Sequence, residues 1–235
     1  MLGRCPVCGE WGTYEENTVV STPAGKRPLS SIGGGARPQR IQEVTATEEM
    51  RIDMHNGELN RVLGGGLVPG SLVLLGGEPG IGKSTLALQV LMQLGGRKTL
   101  YASGEESVRQ LKLRAERLAG NPENLFIVSE TSLERILDDV ADIQPDVVVV
   151  DSIQTIGCDS VEATVGSLSQ VRECAARILQ FAKEKNVPFF IIGHINKEGS
   201  LAGPKVLEHI VDTVLQFEGD QHYMYRILRA QKNRF

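Results

Sequence analysis

Short apolar runs alternate with amphipathic segments along most of the chain from about Met50 onward. Runs such as Ser71–Gly76 and Asp146–Val150 are almost wholly apolar, as in strands buried on both faces of a parallel sheet. The segments between the runs carry apolar residues three or four positions apart, which is typical of helices that pack on one side. This alternation predicts an α/β fold with a mainly parallel, twisted sheet flanked by helices.

The boundaries of the elements follow from the same pattern and from the residues that end helices. The predicted strands are Ser71–Gly76, Thr99–Ala102, Leu125–Val128, Asp146–Val150 and Pro188–Gly193. The predicted helices are Lys83–Leu94, Ser107–Leu118, a segment opened by a Thr131/Glu134 capping box and running to about Ile143, and Ser167–Lys185. Thr213–Phe217 and Tyr223–Ala230 flank Glu-Gly-Asp, which predicts a C-terminal antiparallel hairpin.

The first 49 residues lack such periodicity. Pro23–Arg40 is rich in Pro, Gly and Ser, and it contains four cations and no acid. Two interpretations stay open, a solvated tether and an arm that contacts phosphate or a neighbouring subunit. We therefore expect a short N-terminal part at 1–16, a flexible basic linker at 17–49 and an α/β domain at 50–235.

Composition narrows the functional classes. The 235 residues are 41% hydrophobic, with 25 Lys+Arg against 29 Asp+Glu and a net charge of −4. This excludes wholesale disorder and argues against a uniformly basic nucleic-acid binder, so any such binding needs local patches. No window of the sequence is long and apolar enough to predict a membrane span. The start lacks the apolar core of a secretory leader, and the chain has four cysteines, so we expect a reducing, cytoplasmic location.

Cys5 and Cys8 form a Cys-x-x-Cys-Gly sequence, which is half of a zinc ribbon. A structural zinc site needs four ligands, and Cys158 and Cys174 do not have the spacing of a second pair. Ligand number alone therefore favours no metal at this pair.

Residues 77–84, GEPGIGKS, match the pattern GxxxxGK[ST] between a predicted strand and a predicted helix. Glycines allow the backbone amides to surround phosphate oxygens, and the helix N-terminus adds its partial positive charge. Lys83 is expected to reach the β- and γ-phosphates, and Ser84 to ligate Mg²⁺. The predicted nucleotide-binding residues are Gly77, Glu78, Pro79, Gly80, Ile81, Gly82, Lys83, Ser84 and Thr85.

Acidic residues follow two of the predicted strands. Asp151 ends the strand Asp146–Val150, where a carboxylate can hold Mg²⁺. Glu105 and Glu106 follow the strand Thr99–Ala102, and one of them is expected to polarise the attacking water. We assign that role to Glu105, with Glu106 as the alternative; the pair can also simply open the next helix, where acids favour the dipole.

His194 ends the strand Pro188–Gly193 and precedes a loop rich in Gly and charge, 195–205. A polar group there can respond to the γ-phosphate, and the loop composition suits a switch between order and disorder; a histidine without a role is the alternative. The last predicted strand carries Arg226, Arg229, Lys232 and Arg234. These cations either deter pairing at a sheet edge or contact a phosphate.

Taken together, these motifs resemble the bacterial RadA (Sms) family, which consists of RecA-related DNA repair ATPases. The matching segments are CPVCGEW, ELNRVLGGGLVPGSLVLLGGEPGIGKST, YASGEES, VVVVDSIQT, GHINKEGSLAGPKVLEHIVDTVLQFEGD and KNRF. The resemblance implies a RecA-like P-loop ATPase core, stimulated by DNA, that forms hexameric rings on single-stranded DNA and drives branch migration. It also implies a recombinase of the RecA type as a candidate partner.

The resemblance assigns roles to particular residues. It implies that Lys83 and Ser84 bind ATP and Mg²⁺, that Asp151 is the Walker B acid, and that Glu105 is the catalytic acid. It places His194 at the sensor position and Lys197 and Lys205 in a DNA-facing loop. Lys232 and Arg234 would act on ATP or DNA at the subunit interface.

The chain departs from the family pattern in three places. Only the second cysteine pair of the family's zinc finger is present, and the Lon-protease-like domain that follows KNRF in the family is missing, which implies a fragment. Zinc is then expected only in the intact protein, at Cys5 and Cys8. His194-Ile195-Asn196 stands where the family usually has His-Val-Thr.

Two other functional classes remain as alternatives. One is a RecA-fold ATPase or autokinase that acts on protein, as in circadian-clock-type autokinases. The other is a regulatory nucleotide switch with negligible turnover.

Overall fold

The structure, a computed structural model, describes residues 40–43, 51–118, 123–194, 204–219 and 225–235. Internal contacts divide the chain into two units, Met1–Val44 and Thr45–Phe235. The described part of the first is a short 3₁₀ turn at Ile41–Glu43. The predicted boundaries at 16 and 49 lie outside the described residues and stay predictions.

In the part of the chain that the structure describes, seven strands form one sheet in the order β3-β2-β4-β5-β1-β6-β7. Their bounds are β1 Leu72–Gly77, β2 Thr99–Ser103, β3 Leu125–Ser129, β4 Val147–Asp151, β5 Phe189–His194, β6 Thr213–Gly219 and β7 Arg226–Asn233. β1 to β6 are parallel wherever they pair, and β7 pairs antiparallel with β6. The predicted α/β fold, its parallel sheet and its terminal hairpin are therefore confirmed.

The described ranges contain six α-helices, of which the first precedes β1: α1 Gly57–Val62, α2 Lys83–Gln93, α3 Val108–Arg117, α4 Leu133–Ile143, α5 Leu168–Lys185 and α6 Pro204–Leu207. A 3₁₀ turn at Ile153–Thr155 follows β4. Ser107 and Ser167 accept hydrogen bonds at the N-termini of α3 and α5, which explains why the predicted starts lie within one residue of the observed ones.

The start of α4 corrects one detail of the prediction. Ser132, and not Thr131, caps the helix by accepting the N–H of Arg135. The carboxylate of Glu130 accepts the N–H groups of Thr131 and Ser132 at 2.8 and 2.9 Å, so the cap lies one residue later. Glu134, the expected partner in the capping box, forms an ion pair with Arg177 instead.

Buried residues lie on both faces of the sheet. Alternate residues of β1 point into different clusters: Leu72 and Leu74 pack with α4 and α5, whereas Val73 and Leu75 pack with α1 and α2. All five residues of β4 are buried, as its run of four valines predicted. Two apolar layers around a central sheet thus fix the strand ends from which the polar residues project.

Strand order brings the polar strand ends together at one edge. β5 lies between β1 and β4, and β2 lies on the far side of β4. Because these strands are parallel, the residues after Gly77, Ser103, Asp151 and His194 all emerge at the carboxyl edge of the sheet. Ligands of open α/β sheets bind at this edge.

Candidate functional site

The P-loop connects β1 to α2 at the carboxyl edge of the sheet. Gly80 and Gly82 have φ values of 77° and 111°, which L-residues with side chains rarely adopt. Gly82 is the N-cap of α2, and no side chain of the described residues caps the helix there. The first amides of α2 are therefore available to an anion, as the phosphate-binding motif predicted.

Lys83 is buried and donates to the loop that precedes it. Its Nζ lies 2.8 Å from the carbonyl oxygen of Gly77 and 2.9 Å from that of Glu78. Burial lowers the pKa of Lys83, and the charges of Asp151 and Glu105 only partly oppose this effect. A buried ammonium with two carbonyl acceptors at a helix N-terminus is suited to phosphate oxygens.

Asp151 ends β4 and is buried at 4% exposure. Its Oδ2 accepts the hydroxyl of Tyr101 at 2.5 Å, and its Oδ1 has no hydrogen-bond partner among the described residues. Burial and the negative charge of Asp151 raise the pKa of Tyr101, while a hydrogen bond with Ser84 lowers it. The unpartnered carboxylate oxygen and the Ser84 hydroxyl suit Mg²⁺, which prefers oxygen ligands.

Glu105 and Glu106 are positioned by the end of β2. The Ser103 hydroxyl accepts the N–H groups of Glu105 and Glu106 at 3.3 and 2.9 Å. Oε1 of Glu105 accepts the Ser152 hydroxyl at 2.6 Å and lies 3.2 Å from Nε2 of His194. Burial raises the pKa of Glu105, but the hydrogen bonds from Ser152 and His194 and the charges of His194 and Lys83 outweigh it and lower the pKa overall.

Glu106 has a different environment. Its carboxylate forms an ion pair with Arg114 in the second turn of α3. Glu105 therefore interacts with Ser152, His194 and the P-loop lysine, Lys83. The charge of Glu106 is instead neutralised by Arg114 of α3. This geometry favours Glu105 over Glu106 as the residue that polarises the attacking water.

His194 ends β5 and connects Glu105 to the element after β4. Its carbonyl oxygen accepts the side-chain amide of Gln154 at 3.4 Å. Oε1 of Gln154 and Nδ1 of His194 are buried without partners among the described residues. His194 thus contacts both the candidate base and the 3₁₀ turn, a position compatible with the predicted sensor.

Lys232 and Arg234 lie at the other end of the sheet. In the strand register, Asn233 pairs with Thr213, which pairs with Val73 near the start of β1, whereas Arg226 pairs with Gly219 beyond the end of β1. Lys232 donates to the carbonyl oxygens of Glu208 and Val211, and Arg234 lies 3.4 Å from Asp212. These two cations are therefore held on their own chain, far from its P-loop.

Several predicted site residues lie outside the described part. They are Cys5, Cys8 and Lys197. The side chain of Lys205 is likewise not described, although its backbone is the second residue of α6. Within the described ranges there is no cluster of three or more His, Cys, Asp or Glu side chains that could hold a metal ion. The zinc and DNA assignments thus stay predictions.

Three side chains at this edge were not found from the sequence. Tyr101 is part of an apolar strand and looked like a core residue, and Ser152 and Gln154 follow Asp151 without a recognisable pattern. The motif VVVVDSIQT contains both of the latter, so their place directly after Asp151 was the available signal.

Comparison with known proteins gives one family model, described as an AAA domain, which matches residues 36–200. DNA repair protein RadA of Bacillus subtilis is 52% identical over an alignment covering the whole chain and 52% of that relative. The RadA proteins of Listeria monocytogenes and Halalkalibacterium halodurans are each 50% identical, again over the whole chain and over 51% and 52% of those proteins. The chain therefore spans about half the length of these relatives, and the resemblance inferred from the motifs is confirmed.

Among solved structures, a KaiC-like protein from Pyrococcus horikoshii OT3 matches with a TM-score of 0.63 and 21% sequence identity, over 78% of this chain and 88% of the other. At this identity the match supports the RecA-like fold alone. No helix within the described residues is long and apolar enough to cross a membrane.

Proposed function

The chain belongs to the AAA domain family, and from that premise we propose that it is the ATPase core of a DNA repair motor. The observation that carries the proposal is the convergence of Lys83, Asp151 and Glu105 at one edge of the sheet. A cation for phosphate, a carboxylate for Mg²⁺ and a carboxylate for water are the three groups that phosphoryl transfer to water requires.

The P-loop residues 77–85 bind the phosphate chain through their backbone amides, with Lys83 on the β- and γ-phosphates. Ser84 and the Asp151 oxygen that lacks a partner among the described residues would hold Mg²⁺, which would neutralise phosphate charge. Tyr101 stays protonated because its pKa is raised, so it keeps donating to Asp151 and directs the other carboxylate oxygen toward the metal.

Glu105 orients the attacking water and accepts its proton. Its lowered pKa keeps the carboxylate ionised at neutral pH, as a water-orienting base requires. His194 contacts this carboxylate directly, so a change at the γ-phosphate alters a hydrogen bond of His194. The predicted DNA-facing loop, 195–205, follows His194 directly in the sequence, and this supports a route from the nucleotide to DNA.

DNA is proposed as the substrate because the relatives at about 50% identity are DNA repair proteins. The finer proposal is binding of single-stranded DNA and ATP-driven branch migration, with Lys197 and Lys205 on the phosphates. Replacing either lysine should weaken DNA binding and flatten the slope of log K against log salt by about 0.7, the value for one phosphate contact on a single strand. An unchanged slope would indicate that residues other than Lys197 and Lys205 contact the DNA phosphates.

Assembly into a ring, which we propose to be hexameric, is supported by the separation of the two ends of the sheet. Lys232 and Arg234 lie about four residues of strand, roughly 13 Å, from the P-loop end of β1. If they act on ATP, they act on the nucleotide of a neighbouring subunit. Mixing Lys83→Ala and Arg234→Ala proteins, each inactive alone, should then restore part of the activity, because mixed rings contain intact sites.

The central test is ATP hydrolysis with and without single-stranded DNA, measured on this chain and on a chain extended to the length of its relatives. Lys83→Ala should abolish nucleotide binding in both, since one charge on the phosphates is lost. Retained nucleotide affinity in Lys83→Ala would contradict the P-loop assignment. An extended chain whose ATPase rate does not respond to DNA would favour action on protein or a simple nucleotide switch.

A further inference from the structure

The guanidinium group of Arg226 lies against the P-loop of its own chain. Arg226 is the first residue of β7, opposite Gly219. A methyl group built on Gly82 would lie 2.7 Å from Nη1 of Arg226 and 3.7 Å from its Cζ. The guanidinium therefore lies against the backbone of the loop at the N-cap of α2.

Packing of the hairpin on the loop keeps this contact in place. A Cβ on Gly77 would lie 2.8 Å from the carbonyl oxygen of Phe217, and one on Gly219 would lie 3.1 Å from Cδ1 of Ile81. Strand β6 thus approaches the P-loop through Phe217 at Gly77 and through Gly219 at Ile81, and β7 begins at Arg226 opposite Gly219. Arg226 is held near the loop by the fold itself.

Electrostatics make this an unfavourable place for an unpartnered cation. The N-terminus of α2 carries the positive end of the helix dipole, and Lys83 begins the same helix. Within the described part of the chain, the Arg226 side chain has no hydrogen bond or ion pair, whereas Arg229 pairs with Glu218 at 3.4 Å. Lys83 interacts with the charges of Asp151 and Glu105, whereas Arg226 has no carboxylate partner among the described residues. An anion beside the helix N-terminus would stabilise Arg226 there.

We propose that Arg226 binds the phosphate chain of the nucleotide held by the P-loop of the same subunit. The inference rests on the proposed nucleotide-binding function and adds a residue to it. The planar guanidinium can donate two hydrogen bonds to phosphate oxygens, which a lysine cannot reproduce. Arg226 thereby differs from Lys232, near the other end of the same strand, and from Arg234, which directly follows that strand.

The test is the affinity of the chain for ADP and for a non-hydrolysable ATP analogue, measured by calorimetry over a range of salt concentrations. Arg226→Ala should weaken binding of both by on the order of tenfold, as expected for one lost charge-assisted hydrogen-bonding group, and should reduce the salt dependence. Arg226→Lys should fall between wild type and Arg226→Ala. Arg229→Ala, a matched loss of charge on the same strand, should bind as wild type does.

Each outcome has a distinct meaning. Wild-type affinity in Arg226→Ala would overturn the inference while leaving the proposed function intact. Failure of the wild-type chain to bind either nucleotide would overturn the proposed function itself. Since Arg226 is exposed, Arg226→Ala should unfold at the wild-type temperature without nucleotide; a loss of affinity that only follows a loss of folded protein would assign Arg226 a structural role instead.

Discussion

The hydroxyl of Tyr101 donates a 2.5 Å hydrogen bond to one carboxylate oxygen of Asp151 and leaves the other oxygen buried without a partner among the described residues. A buried acceptor without a donor is unfavourable, so this arrangement is stabilised when a cation binds there. Tyr101 acts by orienting the carboxylate, because its raised pKa keeps the hydroxyl protonated.

We predict that Tyr101→Phe lowers the free energy of unfolding by about 1–3 kcal/mol, since a buried carboxylate loses its only donor among the described residues. The same variant should need more Mg²⁺ for half-maximal ATP hydrolysis. Chemical denaturation and a magnesium titration of the ATPase rate measure the two effects. An unchanged magnesium requirement would contradict the orienting role.

Glu105→Gln should reduce ATP hydrolysis by roughly 10²- to 10⁴-fold, the range typical of a lost general base, and leave nucleotide affinity close to that of wild type. Glu106→Gln is the matched control, because Glu106 pairs with Arg114 and should retain most of the turnover. Single-turnover hydrolysis and nucleotide titration separate the two effects. Equal losses in both variants would count against assigning the base to Glu105 alone.

The pH dependence of the ATP hydrolysis rate should reflect the protonation of Glu105. The folded-state pKa of Glu105 is lowered, so the group stays ionised as the pH falls, and protonation that removes activity occurs below its usual range. Its contribution to stability is likewise present above the unfolded-state pKa and is lost as the pH falls through the folded-state value. Ser152→Ala removes a 2.6 Å hydrogen bond to Glu105 and should move the acidic limb of the rate profile to higher pH. An acidic limb that does not move would show that another group controls it.

Gly104→Ala should impair hydrolysis because there is no space for a side chain at this position. A Cβ at Gly104 would lie 2.2 Å from Oγ1 and 2.9 Å from Cβ of Thr155, so the backbone before Glu105 must shift. Thr155→Ala in the same chain removes the closer of these contacts and should restore part of the rate. A double variant as impaired as Gly104→Ala would mean that the steric conflict is not the cause.

Cys174 should resist alkylation in the folded protein. Its thiol is fully buried, and burial together with the neighbouring Cys158 raises its pKa to about 12, so that little reactive thiolate forms at neutral pH. Mass spectrometry after iodoacetamide treatment should find Cys174 unmodified in the native state and modified in urea. Rapid native labelling would show that α5 opens at this position.

Apolar runs predicted the strands closely because a strand buried on both faces leaves little choice of residue, as in the four valines of β4. Helix α1 was not predicted, since its six residues bury only Leu59 and carry no clear period. The cap of α4 was misplaced by one residue because Glu130, a residue outside the expected motif, satisfied the first amides. Local sequence patterns thus predicted the strands that are buried on both faces. They misplaced the start of α4, where the single side chain of Glu130 sets the helix boundary.

The P-loop and Asp151 could be found from sequence because each is a local pattern beside a strand. The contact of Arg226 with Gly82 could not, because it depends on β6 lying next to β1, and strand order is a property of the whole sheet. Tyr101 was missed for a related reason: its neighbour Asp151 lies 50 positions away in the chain. Residues whose contacts join distant parts of the chain can be recognised only when the strand order of the sheet is known.

The position of Lys232 and Arg234 at the end of the sheet away from the P-loop has a consequence for how the activity would be measured. If Lys232 and Arg234 of a neighbouring molecule complete each proposed hydrolytic centre, the turnover per molecule depends on protein concentration even when ATP is saturating. Specific activity would then fall steeply on dilution and recover on concentration. A motor built this way stays idle as separate chains and consumes ATP only where enough copies have gathered.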